Sequence, residues 1–214
     1  MIDCTSVFFL IFEAYFSYNF MDIQPLLEYI GKHVSLTPEE EAYLAEHITI
    51  RRYLKGQYAL QQGDVCKYSS FILKGCTRMF YVDDEGQEHI IMLCVEDWWS
   101  SDIGSFISQE PAQFNIQCLE DTTFAQFHVD TIEEVYAAVP KLERFFRKIL
   151  ERGLAASQKR IIRNFSMPAK ERYLYFKETY PLIEQRIPQY MIASYLGITK
   201  EFLSKIKRQL ATDA

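Results

Sequence analysis

Hydrophobic residues change their period along the chain, and each period predicts a different kind of structure. Between residue 50 and about residue 130 they alternate with polar residues or form runs of five to eight, as in "SSFILKGCTRMFYVDDEGQEHIIMLCV". Turn sequences such as Gly63-Asp64 and Lys74-Gly75 separate the runs. Many short strands at regular spacing predict an antiparallel barrel or sandwich of roughly 80 residues, and the lack of alternating helices argues against a parallel sheet.

A helix is predicted ahead of these strands by the sequence "SLTPEEEAYLAEH". Thr37 stands as N-cap, Pro38 follows at the first helical position, and Glu40 lies three residues after the cap. In such a capping box the two side chains each bond the other residue's backbone N–H. The sequence therefore predicts a helix that begins at Pro38.

A helical period begins near residue 140. Apolar residues recur at gaps of three and four from Pro140 to about Ser166, which places them on one stripe of a helix about 25 residues or roughly 37 Å long. The stripe consists of Leu142, Phe145, Phe146, Ile149, Leu150, Leu154, Ile161, Ile162 and Phe165. A small barrel cannot cover a helix of this length, so we expect a second copy to cover the remainder. A core helix buried within one chain is the alternative.

The most specific pattern is "RIPQYMIASYLGITKEFLSKIKRQL" near the end of the chain. Ala193 is small where two helices would cross, Gly197 can adopt the positive φ of a tight turn, and Thr199 can cap the next helix. The apolar residues of that helix then return to the core: Leu203, Ile206 and Leu210. These offsets predict a helix-turn-helix, with an ordinary helical hairpin as the alternative.

The second helix of this pair would present its outward residues to the major groove of double-stranded DNA. Lysines can donate to guanine acceptors, Glu201 can accept from a cytosine amino group, and Ser204 can do either. We expect base contacts from Lys200, Glu201, Ser204 and Lys205, and phosphate contacts from Gln189, Lys207 and Arg208. With Thr199, these are the predicted DNA-binding residues. Phe202 faces either a thymine methyl group or the neighbouring helix.

The charge of the chain is divided in a way that fits a polyanionic partner. Residues 1–140 carry 7 Lys and Arg against 22 Asp and Glu, a net charge of −15, whereas residues 141–214 carry 16 against 7, a net charge of +9. The overall charge of −6 hides this division, and 49% hydrophobic residues are typical of a folded protein. Solvated helix faces that happen to be basic are the alternative.

Metal, haem and disulfide sites have little support in the sequence. The five cysteines are scattered and form no CxxC pair, so we expect reduced, mostly buried thiols. The histidines, which are His33, His47, His89 and His128, are expected to be ordinary surface or core residues. We therefore predict no cofactor and no enzyme. The rival class, a cupin-like enzyme, needs converging histidines and a carboxylate, but the barrel segment offers two histidines on separated strands and no HxH pair.

The first twenty residues contain an apolar run, Val7–Phe12, that Glu13 ends far short of a membrane span. No basic segment precedes the run and no small-residue cleavage site follows it. We expect residues 1–20 to be a start-site artefact or a loosely docked extension, since Met21 opens a more conventional start. No membrane partner is predicted.

The order of these segments resembles the Crp/Fnr family of bacterial transcription regulators over residues 21–214. The resemblance is carried by "LKGQYALQQGD", "FILKGCTRMFYVDDEGQEHIIMLCVEDWW" and the helix-turn-helix sequence quoted above, and its character is most similar to members from the Bacteroidetes. It implies an α+β chain with a jelly-roll-like antiparallel β-roll sensor domain (21–139), a long dimerisation helix (140–166) and a winged helix-turn-helix-like DNA-binding domain (167–214).

The resemblance also implies a cytoplasmic homodimer that binds a palindromic operator and works with RNA polymerase. Two helix-turn-helix units on a symmetric helix pair would read half-sites about one DNA turn apart. The positions of Lys200, Glu201, Ser204 and Lys205 match those that read bases in the family. An interaction protein with a vestigial DNA-binding domain is the alternative.

The sensor departs from the cyclic-nucleotide-binding members of the family. Those members have an Arg followed by a Ser or Thr in a phosphate cassette, and a Gly-Glu pair upstream of it. Here Ala112 stands in place of the Arg, Gln113 in place of the Ser or Thr, and Asp102 in place of the Glu. Ala112 cannot supply the charged partner that a buried cyclic phosphate needs. We expect an effector pocket around these three residues that does not bind cyclic AMP in the usual way, so the effector is absent or uncharged. The iron–sulfur branch needs clustered N-terminal cysteines, where only Cys4 lies.

Overall fold

The computed structural model describes residues 23–212. The predicted extension over residues 1–20, together with Cys4, lies outside the described residues. No helix within the described range is long and apolar enough to cross a lipid bilayer.

Among the described residues, two helices precede the strands, α1 (Gln24–Gly31) and α2 (Pro38–His47). The capping box predicted for α2 is confirmed. The Glu40 N–H donates to Thr37 Oγ1 at 3.3 Å, and the Thr37 N–H donates to the Glu40 carboxylate at 2.7 Å. The cap satisfies two N–H groups that the helix itself leaves unpaired, and α2 therefore starts at Pro38.

Seven antiparallel strands between residues 48 and 128 form the predicted β-roll. They are β1 (Ile48–Tyr53), β2 (Tyr58–Leu60), β3 (Tyr68–Lys74), β4 (Thr77–Val82), β5 (Glu88–Cys94), β6 (Asn115–Cys118) and β7 (Thr122–His128). One sheet has the strand order β1-β7-β3 and the other β2-β6-β4-β5. Every pairing within them is antiparallel, so the class predicted from the alternation is confirmed.

The predicted Lys74-Gly75 turn joins β3 to β4 and admits only glycine. Gly75 has φ +111°, and a Cβ there would lie 2.5 Å from the Thr122 hydroxyl oxygen. The Gly75 N–H donates to Glu96 Oε1 at 2.7 Å. The turn thus holds the Glu96 carboxylate at one end of the β-roll.

Two further helices belong to the β-roll, and the periodicity did not predict them. They are α3 (Ile103–Ser108), between β5 and β6, and α4 (Val129–Ala138), after β7. Six residues are too few for α3 to show a helical period. The amphipathic pattern of α4 lies in the ten residues where the strand pattern gives way to that of the long helix.

A long helix, α5 (Pro140–Ser166), follows over the predicted range. Only its first turns enter the core between the N-terminal helices and the β-roll. The fully buried residues there include Leu26, Ile30, Leu44, Phe71, Phe127, Leu142 and Phe145. The apolar anchoring of the helix is therefore at its N-terminal end, whereas most of its later side chains are exposed.

Four helices complete the described chain: α6 (Ala169–Thr179), α7 (Pro181–Arg186), α8 (Gln189–Tyr195) and α9 (Lys200–Thr212). Helix α6 ends before Pro181, and the short α7 that begins there was not predicted. Residues 167–212 contain helices only, so the predicted wing has no counterpart in them. The helices form a second core from Tyr173, Phe176, Ile183, Ile187, Met191, Ile192, Leu203 and Ile206.

This second core continues onto the sheet β2-β6-β4-β5. Phe80, Ile90 and Leu93 of β4 and β5 are buried in the same cluster as the helical residues. The rings of Trp98 and Tyr180 meet edge to face across the contact, with centroids 5.6 Å apart. The C-terminal helices are therefore docked on the β-roll through a continuous apolar contact.

Candidate nucleic-acid interface

The turn between α8 and α9 has the geometry that the sequence predicts. Gly197 has φ +66°, in the left-handed region. Its N–H donates to Ser194 O at 3.0 Å, and the Ile198 N–H donates to Ala193 O at 3.0 Å, which together form a Schellman motif. A Cβ at Gly197 would meet nothing within 4 Å, so the backbone conformation rather than lack of space favours glycine.

The start and the inner face of α9 are fixed by local bonds and by burial. The Phe202 N–H donates to Thr199 Oγ1 at 3.2 Å, so Thr199 caps the helix as predicted. Leu203 and Ile206 are buried in the second core. Their burial determines which side of α9 faces solvent.

The outward side of α9 brings together the residues predicted to contact DNA. At about 100° per residue, the side chains of five of them fall within an arc of about 140°. They are Lys200, Glu201, Ser204, Lys205 and Arg208. All are exposed except Ser204, which is half-buried and whose hydroxyl donates to Lys200 O at 2.9 Å. Phe202 is 46% exposed and does not belong to the second core.

Within residues 23–212, the four charged side chains on this arc form no hydrogen bond or ion pair. Three are basic and one is acidic, and the single carboxylate, that of Glu201, lies in the first turn of α9. An acidic group there interacts favourably with the N-terminal end of the helix dipole. The arc therefore presents free hydrogen-bonding groups of both kinds to solvent.

Two predicted phosphate contacts are placed differently from this arc. Gln189 is exposed and opens α8. Lys207 Nζ lies 3.1 Å from Glu184 Oε1 in α7, and the Tyr173 hydroxyl donates to the same carboxylate. Burial would raise the pKa of Glu184, but the hydrogen bonds from Tyr173 and Lys207 lower it overall, so the carboxylate is charged at neutral pH. A phosphate contact by Lys207 would require this ion pair to open.

The exposed part of α5 carries an apolar stripe that nothing within residues 23–212 covers. Leu150, Leu154, Ile161 and Phe165 fall within an arc of about 60° over roughly 22 Å of helix. Leu154 is 63% and Phe165 is 88% exposed. Large apolar side chains aligned in this way typically mark a protein contact surface. The single stripe predicted from the sequence is thus divided into a buried first third and an exposed remainder.

The β-roll contains an open cavity of about 670 Å³. Its lining is uncharged and consists of Gln62, Gly63, Tyr81, Ile91, Ala112, Gln113 and Phe114. Two of the three predicted effector residues, Ala112 and Gln113, therefore lie at a cavity. The volume is within the range of about 300–1,000 Å³ that small-molecule sites occupy.

The third predicted effector residue, Asp102, lies beside the cavity lining rather than in it. Its buried carboxylate accepts the backbone N–H groups of Ser105 at 3.1 Å, Gln113 at 3.0 Å and Phe114 at 3.3 Å. Asp102 thus caps α3 and ties the segment at 113–114 to it. The donors that an incoming anion would need here are already bound to a carboxylate of the protein, which would repel that anion.

The described cysteines and histidines have structural partners. Cys66, Cys76, Cys94 and Cys118 are buried free thiols, as predicted, and burial raises the pKa of Cys76 and of Cys94 to about 12. His89 pairs with Asp83 at 2.6 Å, and His128 Nδ1 accepts the Asp130 N–H at 3.2 Å. Residues 23–212 contain no group of three or more His, Cys, Asp or Glu side chains that could hold a metal ion.

Comparison with known proteins shows which domain family the β-roll matches and which solved structures share the fold. Residues 50–138 match the cyclic nucleotide-binding domain family. The catabolite activator protein of Thermus thermophilus is 19% identical over 86% of this chain and 87% of that chain, with a TM-score of 0.55. CLP of Xanthomonas campestris, described as a c-di-GMP responsive global regulator, is 16% identical over 82% of this chain and 90% of that chain, with a TM-score of 0.64. FixK2 of Bradyrhizobium japonicum is 16% identical over 78% and 85%, with a TM-score of 0.67.

No curated protein sequence matches the chain. At identities of 19% or less, the structural likenesses concern the fold. Residues 50–138 therefore match the cyclic nucleotide-binding domain family, and the described chain shares the fold of the three proteins compared above, so the resemblance to Crp/Fnr regulators is confirmed at the level of the fold. A Bacteroidetes source stays a prediction.

Sequence reasoning missed two residues that the structure makes important, Glu184 and Arg186. Glu184 holds Lys207, and Arg186 bonds Glu96 and Glu120 of the β-roll. The partners of Arg186 lie 90 and 66 residues away in the sequence. A single charged residue on a short helix gives no local signal of such partners.

Proposed function

We propose that the protein is a sequence-specific DNA-binding transcription regulator that acts as a homodimer. The observation that carries the proposal is the exposed arc of α9, where free basic groups surround Glu201 on a helix fixed by a Schellman turn and a threonine cap. A helix about 10–12 Å across fits a major groove about 12 Å wide. Proteins of the same fold that are described as an activator and a global regulator support this function.

The arc assigns a different role to each of its residues. Lys200 and Lys205 donate to guanine O6 or N7, and Glu201 accepts from the amino group of cytosine. The Ser204 hydroxyl donates to Lys200 O, which leaves its oxygen free to accept from a base. Arg208 lies further along the helix and binds phosphate, with Gln189 at the start of α8.

The dimer forms through the exposed part of α5 in this proposal. The stripe from Leu150 to Phe165 packs against its copy in a symmetric pair, which buries apolar surface that the single chain leaves exposed. The sensor would then span residues 21–139, the dimerisation helix 140–166 and the DNA-binding unit 167–214. Such a dimer reads a palindrome in the cytoplasm and acts together with RNA polymerase.

The β-roll serves as a sensor that does not bind cyclic AMP in the usual way. The uncharged lining of the cavity offers no cation to a phosphate, and the carboxylate of Asp102 occupies the backbone donors at its edge. We expect an uncharged ligand with hydrogen-bonding groups for Gln113 and Tyr81, or no ligand. Calorimetric titration with cyclic AMP should show no binding at concentrations that saturate a cyclic-nucleotide receptor.

A fluorescence-polarisation titration tests DNA binding directly. The purified protein is titrated against random duplex DNA at about 50 and 200 mM salt, and a protein that neutralises several phosphates loses affinity steeply between the two. Arg208→Ala, which removes a proposed phosphate contact, should weaken binding, whereas Lys67→Ala, at an exposed lysine of the β-roll, should not. No binding at low salt would end the proposal. Selection from random sequences should then yield a palindrome.

A further inference from the structure

Arg186, the last residue of α7, joins the C-terminal helices to two loops of the β-roll. Its guanidinium donates to Glu96 at 2.6 and 3.0 Å and to Glu120 at 3.0 and 2.7 Å. Glu96 follows β5, and Glu120 lies in the turn between β6 and β7. The Arg186 side chain is 25% exposed and thus largely withdrawn from solvent. Both ends of its fork are therefore held by the β-roll.

The two carboxylates are themselves fixed in place. Glu96 Oε1 also accepts the Gly75 N–H at 2.7 Å, in the turn that only glycine can form. Although burial would raise the pKa of Glu96, the hydrogen bonds from Arg186 and Gly75 lower it overall. Hydrogen bonds to Glu120 and Glu96 raise the pKa of Arg186. Glu96 and Arg186 are therefore both charged at neutral pH.

Helices α8 and α5 each bond the edge strand β5. In the sheet order β2-β6-β4-β5, β5 is an edge strand whose outer N–H and C=O groups have no strand partner. The Ile90 N–H donates to Ser194 Oγ of α8 at 3.1 Å, and Arg160 of α5 donates to Ile91 O. The helix-turn-helix is thus bonded directly to the edge of the β-roll.

These contacts differ in how far they restrict the orientation of the C-terminal helices on the β-roll. The apolar contact with β4 and β5 is non-directional, so alone it permits the helices to slide or rotate on the sheet. The covalent link to α5 is short, since Met167 and Pro168 separate α5 from α6, and Arg172 of α6 donates across it to Met167 O at 2.9 Å. A planar guanidinium between two carboxylates accepts few orientations. Helix α8 forms two hydrogen bonds to β5 and α5 forms one, whereas the Arg186 fork forms four to two carboxylates, so the fork restricts the orientation of the docked unit most strongly.

We propose that Arg186, held by Glu96 and Glu120, is a positioning residue that sets the half-site spacing the dimer accepts. The inference rests on the proposed function. In a symmetric dimer, the angle of α9 relative to α5 determines the distance between the two recognition helices. That distance must match one DNA turn, about 34 Å, or the second helix misses its groove. Arg186 acts through α9 and does not itself contact DNA.

The test measures the affinity for DNA as a function of the distance between the two half-sites. Two copies of the selected half-site are placed roughly 8 to 13 base pairs apart, centre to centre, around the one-turn separation. Wild type should prefer one spacing by about tenfold or more, whereas Arg186→Gln should reduce that preference to about threefold or less while the base preference within each half-site stays unchanged. A merely structural loss of stability would lower affinity at all spacings alike and leave the profile sharp.

Matched variants distinguish the effect of the forked hydrogen bonds of Arg186 from the effect of its positive charge. Arg186→Lys keeps the charge but cannot bond both carboxylates in one plane, so it should broaden the profile partially. Glu120→Gln should broaden it as well. Lys141→Gln removes a different ion pair, with Glu40 at 2.8 Å inside the N-terminal unit, and should leave the profile unchanged. A sharp profile in Arg186→Gln overturns the inference, and if Arg186→Gln fails to fold, a sharp profile in Arg186→Lys together with Glu120→Gln does so.

A second measurement does not depend on DNA binding. Spin labels are attached through Lys67→Cys and Gln209→Cys, both at exposed positions, one in the β-roll and one in α9. The distribution of distances between the two labels should be narrow in the labelled protein that retains Arg186 and broader in the labelled Arg186→Gln and Arg186→Lys variants. An unchanged distribution would refute the positioning role. If wild type binds no duplex, the proposed function fails, and this distribution still decides whether Arg186 fixes α9.

Discussion

The exposed stripe on α5 predicts how two copies of the chain associate, and the structure allows the free energy of that association to be estimated for one side chain. Leu154→Ala removes an apolar side chain that is 63% exposed in the single chain and lies at the centre of the stripe. Its inner neighbours on the helix are solvent-exposed too, so the substitution should leave no cavity in the folded protomer. We expect the monomer to keep its stability and the dimer to weaken.

The magnitude follows from the area that dimerisation can bury. Complete burial of a leucine side chain stabilises by about 1.5–3 kcal/mol, and Leu154 still exposes 63% of its surface, so each copy can contribute roughly 1–2 kcal/mol. Both protomers lose the side chain, which gives roughly 2–4 kcal/mol in total. The dimer dissociation constant should then rise by roughly 30- to 700-fold, since each 1.4 kcal/mol is a factor of ten.

Sedimentation equilibrium over a range of concentrations measures this constant directly. Leu182→Ala provides the matched control, because Leu182 is 64% exposed but lies on α7, away from the stripe. The control should leave the dissociation constant unchanged. Equal constants for wild type and Leu154→Ala, or equal losses for both leucine variants, would show that α5 is not the dimer contact.

Three further outcomes follow from other parts of the molecule. Lys205→Ala should lose preference for particular bases in binding-site selection, whereas Arg208→Ala should weaken binding to all sequences alike; indistinguishable losses would contradict the two roles. Gly197→Ala meets open space but keeps φ at +66°, so thermal unfolding should show a loss of about 1–2 kcal/mol from strain, and no loss would mean that the turn relaxes. The lowered pKa of Glu96 means that its bond to Arg186 stabilises fully above pH 4.5, the ordinary value, and is lost as pH falls through the lower folded value. The stability difference between wild type and Glu96→Gln, measured by denaturant unfolding, should therefore be present at pH 7 and shrink below pH 4.5; a difference that grows on acidification would contradict this assignment.

Local signals predicted the elements that local bonds define. The capping box at Thr37 and the Schellman turn at Gly197 each close within five residues, so the sequence contains every group involved. The long helix was found over its full range because its period repeats for 27 residues. The short helices α3 and α7 have six residues each and were missed, because a period cannot be recognised in so few positions.

The candidate site was predicted unevenly for the same reason. A helical period identifies the face of α9 that points away from the core, and the structure exposes that face. The period does not identify which charged residue at the edge of this face forms an ion pair. Lys207 therefore counted among the free basic groups until the structure placed Glu184, 23 residues earlier in the chain, 3.1 Å from it.

The amino-acid sequence by itself determined the β-roll class, the long amphipathic helix and the helix-turn-helix, because strand alternation, helical period and caps arise from neighbours along the chain. Only the tertiary structure decided that the α5 stripe is buried for its first third and exposed beyond it, and that Arg186 bonds carboxylates 66 and 90 residues away. The period of a helix or strand indicates which side of the element a residue faces. Which residue it contacts depends on the distant segments that lie beside it in the folded chain, and the packing of the whole core places those segments.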